Sequence, residues 1–228
     1  PWIPAVDDQF RKIGITTLAD PNRNFKIMAS AHLPGFGIYW YRRDAYLKRK
    51  ADFAKTKDTK YVVREVELQS PAFMTGLREQ LDKSLKPIVL LKPMAVYLAD
   101  ESSLTFYGDS FDVSWAPEAL SGFRTWLKSE YRDVQSVNAM WGTSFSNWES
   151  VLPMTTEQAQ KHGNFAAWAD HRIYMEQEFG KAFGRASDLV HQMDPGGRAS
   201  ISGTQVPGAH NGCNWYEIDQ QIDYLQPY

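Results

Sequence analysis

Cysteine is nearly absent from this sequence: Cys213, in "HNGCNW", is the only one among 228 residues. A single thiol excludes an internal disulfide and is too few for a thiolate metal site, so a buried or half-buried thiol is the expected role. An excess of positive charge is missing as well. The 25 Lys and Arg are outnumbered by 27 Asp and Glu, for a formal charge of -2, which supplies no basic field for a nucleic-acid backbone. No apolar run approaches the roughly 18 to 20 residues that span a bilayer, so no membrane partner is expected. The chain carries no G-x-S-x-G elbow, phosphate loop or dinucleotide fingerprint, and no cofactor is expected. The five histidines, His32, His162, His171, His191 and His210, show no ligand spacing, and no metal site is expected. The opening "PWIP" has neither an initiator Met nor a charged and then apolar leader, and reads as a cut start. No repeat, low-complexity tract or Gly/Ser linker divides the chain, so residues 1–228 are expected to form one domain.

What is present is ordinary for a globular core, 43% hydrophobic and 23% charged residues, with a generous aromatic share of 14% that includes 8 Trp. Many aromatics lie beside Gly, Asn and Ser, as in "GFGIYWYRR", "AMWGTSFSNW" and "NGCNWYE". Such residues can form platforms for sugar rings, but core packing is the commoner use of any single one. Short β-branched runs alternate with helical patterns, which points to an α/β protein with a parallel sheet. Strands are expected at 13–20, 25–32, 94–101, 198–205 and 222–228. Ser70 and Pro71 open a helix that places Phe73, Leu77, Leu81 and Leu85 four apart on one face. A second helix covers 116–132, and a third, the longest, runs through 164–195 and stops at Asp194 and Pro195. The charged run 42–60 has Asp44, Asp52 and Asp58 among its lysines and arginines, and reads as a solvated helix and loop.

The strand "MAVYLADE" ends on two carboxylates, Asp100 and Glu101. Carboxyl ends of parallel strands are where α/β barrels build active sites, because the loops that shape the pocket leave from that face. The plainer alternative has Asp100 capping the following turn and Glu101 paired with an Arg.

Downstream, Phe123, Trp126, Leu127, Tyr131, Asn138, Trp141, Gly142, Thr143 and Phe145 fall in a "F..WL...Y......N..WGT.F" pattern, followed by a long helix and "DPGGRASIS" at 194–202. This order resembles glycoside hydrolase family 42, the β-galactosidase-like members of the clan of retaining glycosidases built on a (β/α)8 TIM-type barrel. The resemblance implies an incomplete barrel with strands two to six present, since a full one takes about 250 residues. It implies a carbohydrate substrate and retaining hydrolysis of β-glycosides, with Glu101 as the general acid/base beside a second carboxylate that raises its pKa. Asp100 stands where the clan usually has an Asn that helps bind the sugar 2-hydroxyl, and Asp100, His32, Gln205 and Tyr228 are expected to line the sugar pocket from the strand ends. The cysteine cluster that binds zinc in many members is absent. The clan's nucleophile is a Glu ending strand seven, whereas the segment at 222–228 counts as strand six, so this chain by itself is expected to be inactive and to self-associate through exposed sheet edges. A catalytically silent carbohydrate-binding or scaffold barrel is the alternative.

Overall fold

The computed structural model describes residues 12–13, 30–32, 43–64, 66–93, 95–100, 102, 104, 114–203 and 213–226. These form a mixed α/β unit around a parallel sheet of four strands, β1 (Ser30–His32), β2 (Ala95–Asp100), β3 (Ala199–Ser202) and β4 (Tyr224–Gln226), lying side by side in chain order. Four of the five expected strand segments contain these strands. The fifth, 13–20, lies outside the described residues except for Ile13, a turn residue that is 71% exposed.

Helices fill the long connections that parallel neighbours require. Between β1 and β2 come α1 (Arg43–Thr56), which carries an exposed Lys48–Asp52 pair one turn apart, and α2 (Pro71–Ser84). The Ser70 hydroxyl accepts from the Phe73 N–H at 3.2 Å and caps α2, while Leu77 and Leu81 bury its apolar face. Between β2 and β3 lie α3 (Pro117–Glu130), α4 (Val134–Trp141), α5 (Thr156–His162) and the 28-residue α6 (Ala166–Met193). The sequence reading found α3 and α6 but passed over α4 and α5, although both carry boundary signals. Asp133 caps α4 and Gly142 ends it at φ 70°, while Thr155 and Gln158 form a capping box on α5 and Gly163 ends that helix at φ 76°. The last helix, α7 (Trp215–Asp219), leads into β4.

The core lies between the sheet and its helices. Val96, Leu98, Ala99, Ala199 and Ile201 from the strands meet Met175, Phe179, Phe183, Ala186 and Val190 from α6 in one buried cluster. At the amino ends of the strands, the Asp223 carboxylate accepts from the Ala199 N–H at 2.6 Å and lies 2.9 Å from His191 Nε2, which sets where β3 and β4 begin. Cys213 is buried, as expected, at 2% exposure.

Candidate active site

Pairing register decides which side chains share a face. Directly opposed residues of parallel strands point to the same side, and successive residues alternate. Tyr97 is opposed to Ser200 and Ser200 to Tyr224, while Asp100 is opposed to Ser202 and Ser202 to Gln226. Tyr97 and Asp100 are three residues apart and would fall on opposite faces of a regular strand. The register shifts between Tyr97 and Ala99, so Leu98 is an extra residue on β2. This β-bulge reverses the alternation, leaves Leu98 and Ala99 both in the helix-packed core, and brings Asp100 onto the face of Tyr97, Ser200 and Ser202.

That face is polar. In its inner row the Tyr97 and Tyr224 side chains share a hydrogen bond, and burial together with that bond pushes the Tyr97 hydroxyl up to about 12. Ser200, between them in the register, is fully buried. In the outer row, at the carboxyl edge, the buried Ser202 hydroxyl donates to Asp100 Oδ1 at 2.8 Å, and Asp100 itself is exposed. Gly203 follows in the left-handed region at φ 67°, with its N–H donating to the Gln226 carbonyl at 3.1 Å, and closes the edge.

Of the residues expected to do chemistry, Asp100 stands at this edge. His32 ends β1 and is opposed to Tyr97 in the register. Glu101, Gln205 and Tyr228 lie outside the described residues. Sequence reasoning missed Tyr97, Ser200, Ser202 and Tyr224. The alternation of Ser200 and Ser202 with Ala199 and Ile201 was a signal for two of them, since a strand covered by helices on one face puts its small polar residues on the other.

Two clamps hold the chain just after β2. Cys213 Sγ donates to the Ser102 carbonyl at 3.0 Å, and burial pushes the thiol up to about 12. Arg64, with a fully buried side chain, donates from Nη2 to the Leu104 carbonyl at 3.1 Å and from Nε to the Ser114 hydroxyl at 2.5 Å. Glu67 lies beside it, 3.9 Å from Nε, and burial raises its pKa despite that cation. Both clamps use partners remote in sequence to fix the connection that leaves the acidic strand end. Among the described residues no group of three or more His, Cys, Asp or Glu is arranged to hold a metal ion, and no helix is long and apolar enough to cross a membrane.

The residues that carried the resemblance form a brace rather than a catalytic surface. Asn138 Oδ1 accepts from Phe145 N at 2.8 Å and Thr143 Oγ1 at 2.9 Å, and its Nδ2 donates to the Phe145 carbonyl at 2.9 Å. Asp170 Oδ2 receives both Tyr131 Oη at 2.5 Å and Trp141 Nε1 at 2.7 Å. Phe123 stacks on Trp126 and on Trp141 at ring separations of 6.0 and 6.2 Å. The cluster "AMWGTSFSNW" is therefore packing, with Trp141 fully buried and Phe145 and Trp148 half-buried against the core.

The described elements are thus a parallel α/β sheet with helices packed on one face and, on the other, a polar row that ends in a carboxylate at the carboxyl edge. The particular family follows from comparison. The model of glycoside hydrolase family 42, described as β-galactosidase, matches residues 106–226, more than half of the 228-residue chain, and the chain belongs to that family. It is similar to the β-galactosidase bgaB of Geobacillus kaustophilus, 24% identical over 108 residues that make up 45% of this chain and 15% of that protein. Its fold is similar to the apo exo-carrageenase of family 42 from Bacteroides ovatus, with a TM-score of 0.58 at 15% identity over 77% of this chain and 26% of the other. It is also similar to the β-galactosidase of Bacillus circulans sp. alkalophilus, with a TM-score of 0.52 at 12% identity over 98% of this chain and 38% of the other. The chain thus spans well under half the length of each relative.

Proposed function

We propose that the intact protein is a β-galactosidase-like glycoside hydrolase that cleaves β-galactosides with retention, using Glu101 as its acid/base. The observation that carries this reading is Asp100, turned by the bulge at Leu98 onto the polar face and held at the carboxyl edge of the sheet, directly before Glu101. Family membership supports the same chemistry. The four strands, parallel neighbours in chain order with helical connections, suit strands three to six of a (β/α)8 barrel whose polar face is the interior. Glu101 protonates the departing glycosidic oxygen and then takes a proton from the attacking water. Asp100, acceptor-only when ionised, receives a sugar hydroxyl. His32, Gln205 and Tyr228 contribute from the other strand ends. Retention needs a second carboxyl group about 5 to 5.5 Å from the first, and the family resemblance puts it at the end of strand seven, one strand-helix unit after β4.

The test is Glu101→Gln in the intact protein, assayed on an aryl β-galactoside. kcat/KM falls about 10²- to 10⁴-fold and the basic limb of the pH profile disappears. An unchanged rate overturns the assignment, and a first-formed α-galactose in an NMR time course overturns retention. Asp100 in the place of the usual Asn favours one other reading, a silent carbohydrate-binding barrel. Calorimetric titration of the intact protein with galacto-oligosaccharides separates the two, because binding without turnover by the intact protein belongs to the silent form alone.

A further inference from the structure

We infer that the cavity between the end of α1, Trp115 and α5 is a second binding site, built for a single acidic sugar ring. It encloses about 270 Å³, roughly the share of nine water molecules, which suits one ring rather than a chain of them. Phe53 and Lys57, one turn apart at the end of α1, line it together with Trp115 and with Glu157, Gln158 and Lys161 of α5. None of these residues lies on the sheet, so the site stands or falls apart from the reaction proposed at Asp100 and Glu101.

Phe53 and Trp115 give the lining its aromatic part, against which the C–H face of a sugar can pack. Trp115 is 8% exposed, and its Nε1–H is buried with no hydrogen-bond partner. Native proteins seldom keep such a donor unless a ligand or water meets it. The residue is also fixed in place. Its backbone N–H donates to the Val62 carbonyl at 3.4 Å, its ring meets His171 edge-on at 6.4 Å, and the preceding Ser114 hydroxyl accepts from the buried Arg64.

The charges of the lining select the ligand. Lys57 and Glu157 pair with each other, while Lys161 has no ion-pair partner among the described residues, which leaves one positive charge uncompensated. Gln158 Oε1 accepts from the Thr155 N–H at 2.9 Å, so the amide nitrogen of Gln158 is the group left to donate. Donors on Trp115, Gln158 and Lys161 suit an acceptor-rich monoanion, and the aromatic part suits an apolar face. A pyranose carrying one carboxylate or one sulfate has both. The chain accepts strain to build this place. Lys57 and, next to Trp115, Ser114 hold left-handed backbone at φ 58° and φ 65°. Lys57 ends α1 by donating its N–H to the Phe53 carbonyl at 2.8 Å, a turn that glycine would make without strain but without a cation for Glu157.

The experiment titrates the intact protein with galacturonate, galactose 6-sulfate and, as a planar acid, benzoate, followed by ligand-observed NMR. At least one acidic sugar is expected to bind with a Kd on the order of 1 mM, a usual strength for about a dozen non-hydrogen atoms. Whichever binds names the anionic group. Lys161→Gln, at an exposed position, is expected to weaken that binding about fivefold, and Trp115→Phe, which keeps a ring but not the N–H, about tenfold. In Lys161→Gln, kcat/KM on the aryl β-galactoside stays unchanged. No saturation by either acidic sugar far above that Kd overturns the inference. Binding that neither substitution weakens overturns it as well, because the sugar then sits elsewhere, and benzoate binding as tightly as the sugars overturns the choice of a sugar. A protein that binds the acidic sugar here but hydrolyses no galactoside loses the hydrolase reading and keeps this site.

Discussion

Burial is the largest cause of the shifted protonation of single residues such as His171 and Cys213. His171 is 4% exposed, and burial first and the neighbouring Arg172 second lower its pKa to about 3, against a backbone hydrogen bond at Ser114 that pulls the other way. At neutral pH both folded and unfolded forms carry a neutral imidazole, and the full benefit of folding is present. As the pH falls through the unfolded value near 6.5, the unfolded chain takes up a proton that the native site refuses, and stability drops by about 1.4 kcal/mol per pH unit until the native pKa is reached. Urea midpoints at about pH 7 and about pH 5 check this, with wild type expected to lose on the order of 2 kcal/mol more than His171→Gln. Equal losses would show that His171 does not set the acid limit. Cys213 gives a second test. A thiol pushed up to about 12 and bonded to the Ser102 carbonyl has almost no thiolate at pH 8, so Ellman's reagent is expected to react only after unfolding. Rapid labelling of the native protein would contradict that burial.

At the scale of elements, the segment from α3 to the start of α6 is a brace assembled around two polar hubs. Asn138 ties the end of α4 to the turn that follows it. Asp170, on α6, gathers Tyr131 from the end of α3 and the fully buried Trp141 from α4, and burial with Asp170 alongside pushes the Tyr131 hydroxyl up to about 12. Removing the hub leaves a buried indole N–H and a half-buried phenol without their acceptor. Asp170→Ala is therefore expected to cost about 2 to 4 kcal/mol in denaturant unfolding, and Asp170→Asn, which keeps one oxygen acceptor, distinctly less. A loss below about 1 kcal/mol for the alanine form would mean that water replaces the carboxylate and that the brace is looser than its distances imply. Gly142 belongs to the same unit. Its φ of 70° is unfavourable for a Cβ, and an added Cβ would meet His162 Nε2 at 3.1 Å, so both the backbone and the contact favour glycine.

For the whole molecule, the exposed groups of the sheet matter most. Among the described residues β1 and β4 each pair on one side only, with β2 and β3 respectively. An unpaired strand edge is a template for a second chain. The 228-residue chain is expected to self-associate, seen as a sedimentation coefficient that rises with concentration. One monomeric species across the range would mean that both edges are covered. Helices pack on the apolar face through Val96, Ala199 and Ile201, while Tyr97, Ser202 and Asp100 share the opposite face.

Much of this was written locally in the chain. Leu77, Leu81 and Leu85 recur every fourth residue, and Ser70 with Pro71 marks a helix start, because capping and helical period act over a few residues. The acidic end of β2 and the pattern from Phe123 to Phe145 were equally legible and carried the resemblance to the family whose model matches residues 106–226. The roles of those pattern residues were not, since a tryptophan beside Gly and Ser reads the same whether it stacks on sugar or, like Trp141, packs in a core. Nor was the face of Asp100. Strict alternation along "AVYLAD" puts it with Val96 and Leu98 against the helices, and only the register with β3, set by contacts about a hundred residues away, inserts the bulge that turns it round. The sequence by itself determined the acidic strand end and the three longer helices after residue 69, α2, α3 and α6, whose caps and periods act locally. The tertiary structure decided which of their residues meet, because register and bulges depend on a partner strand that no local pattern encodes.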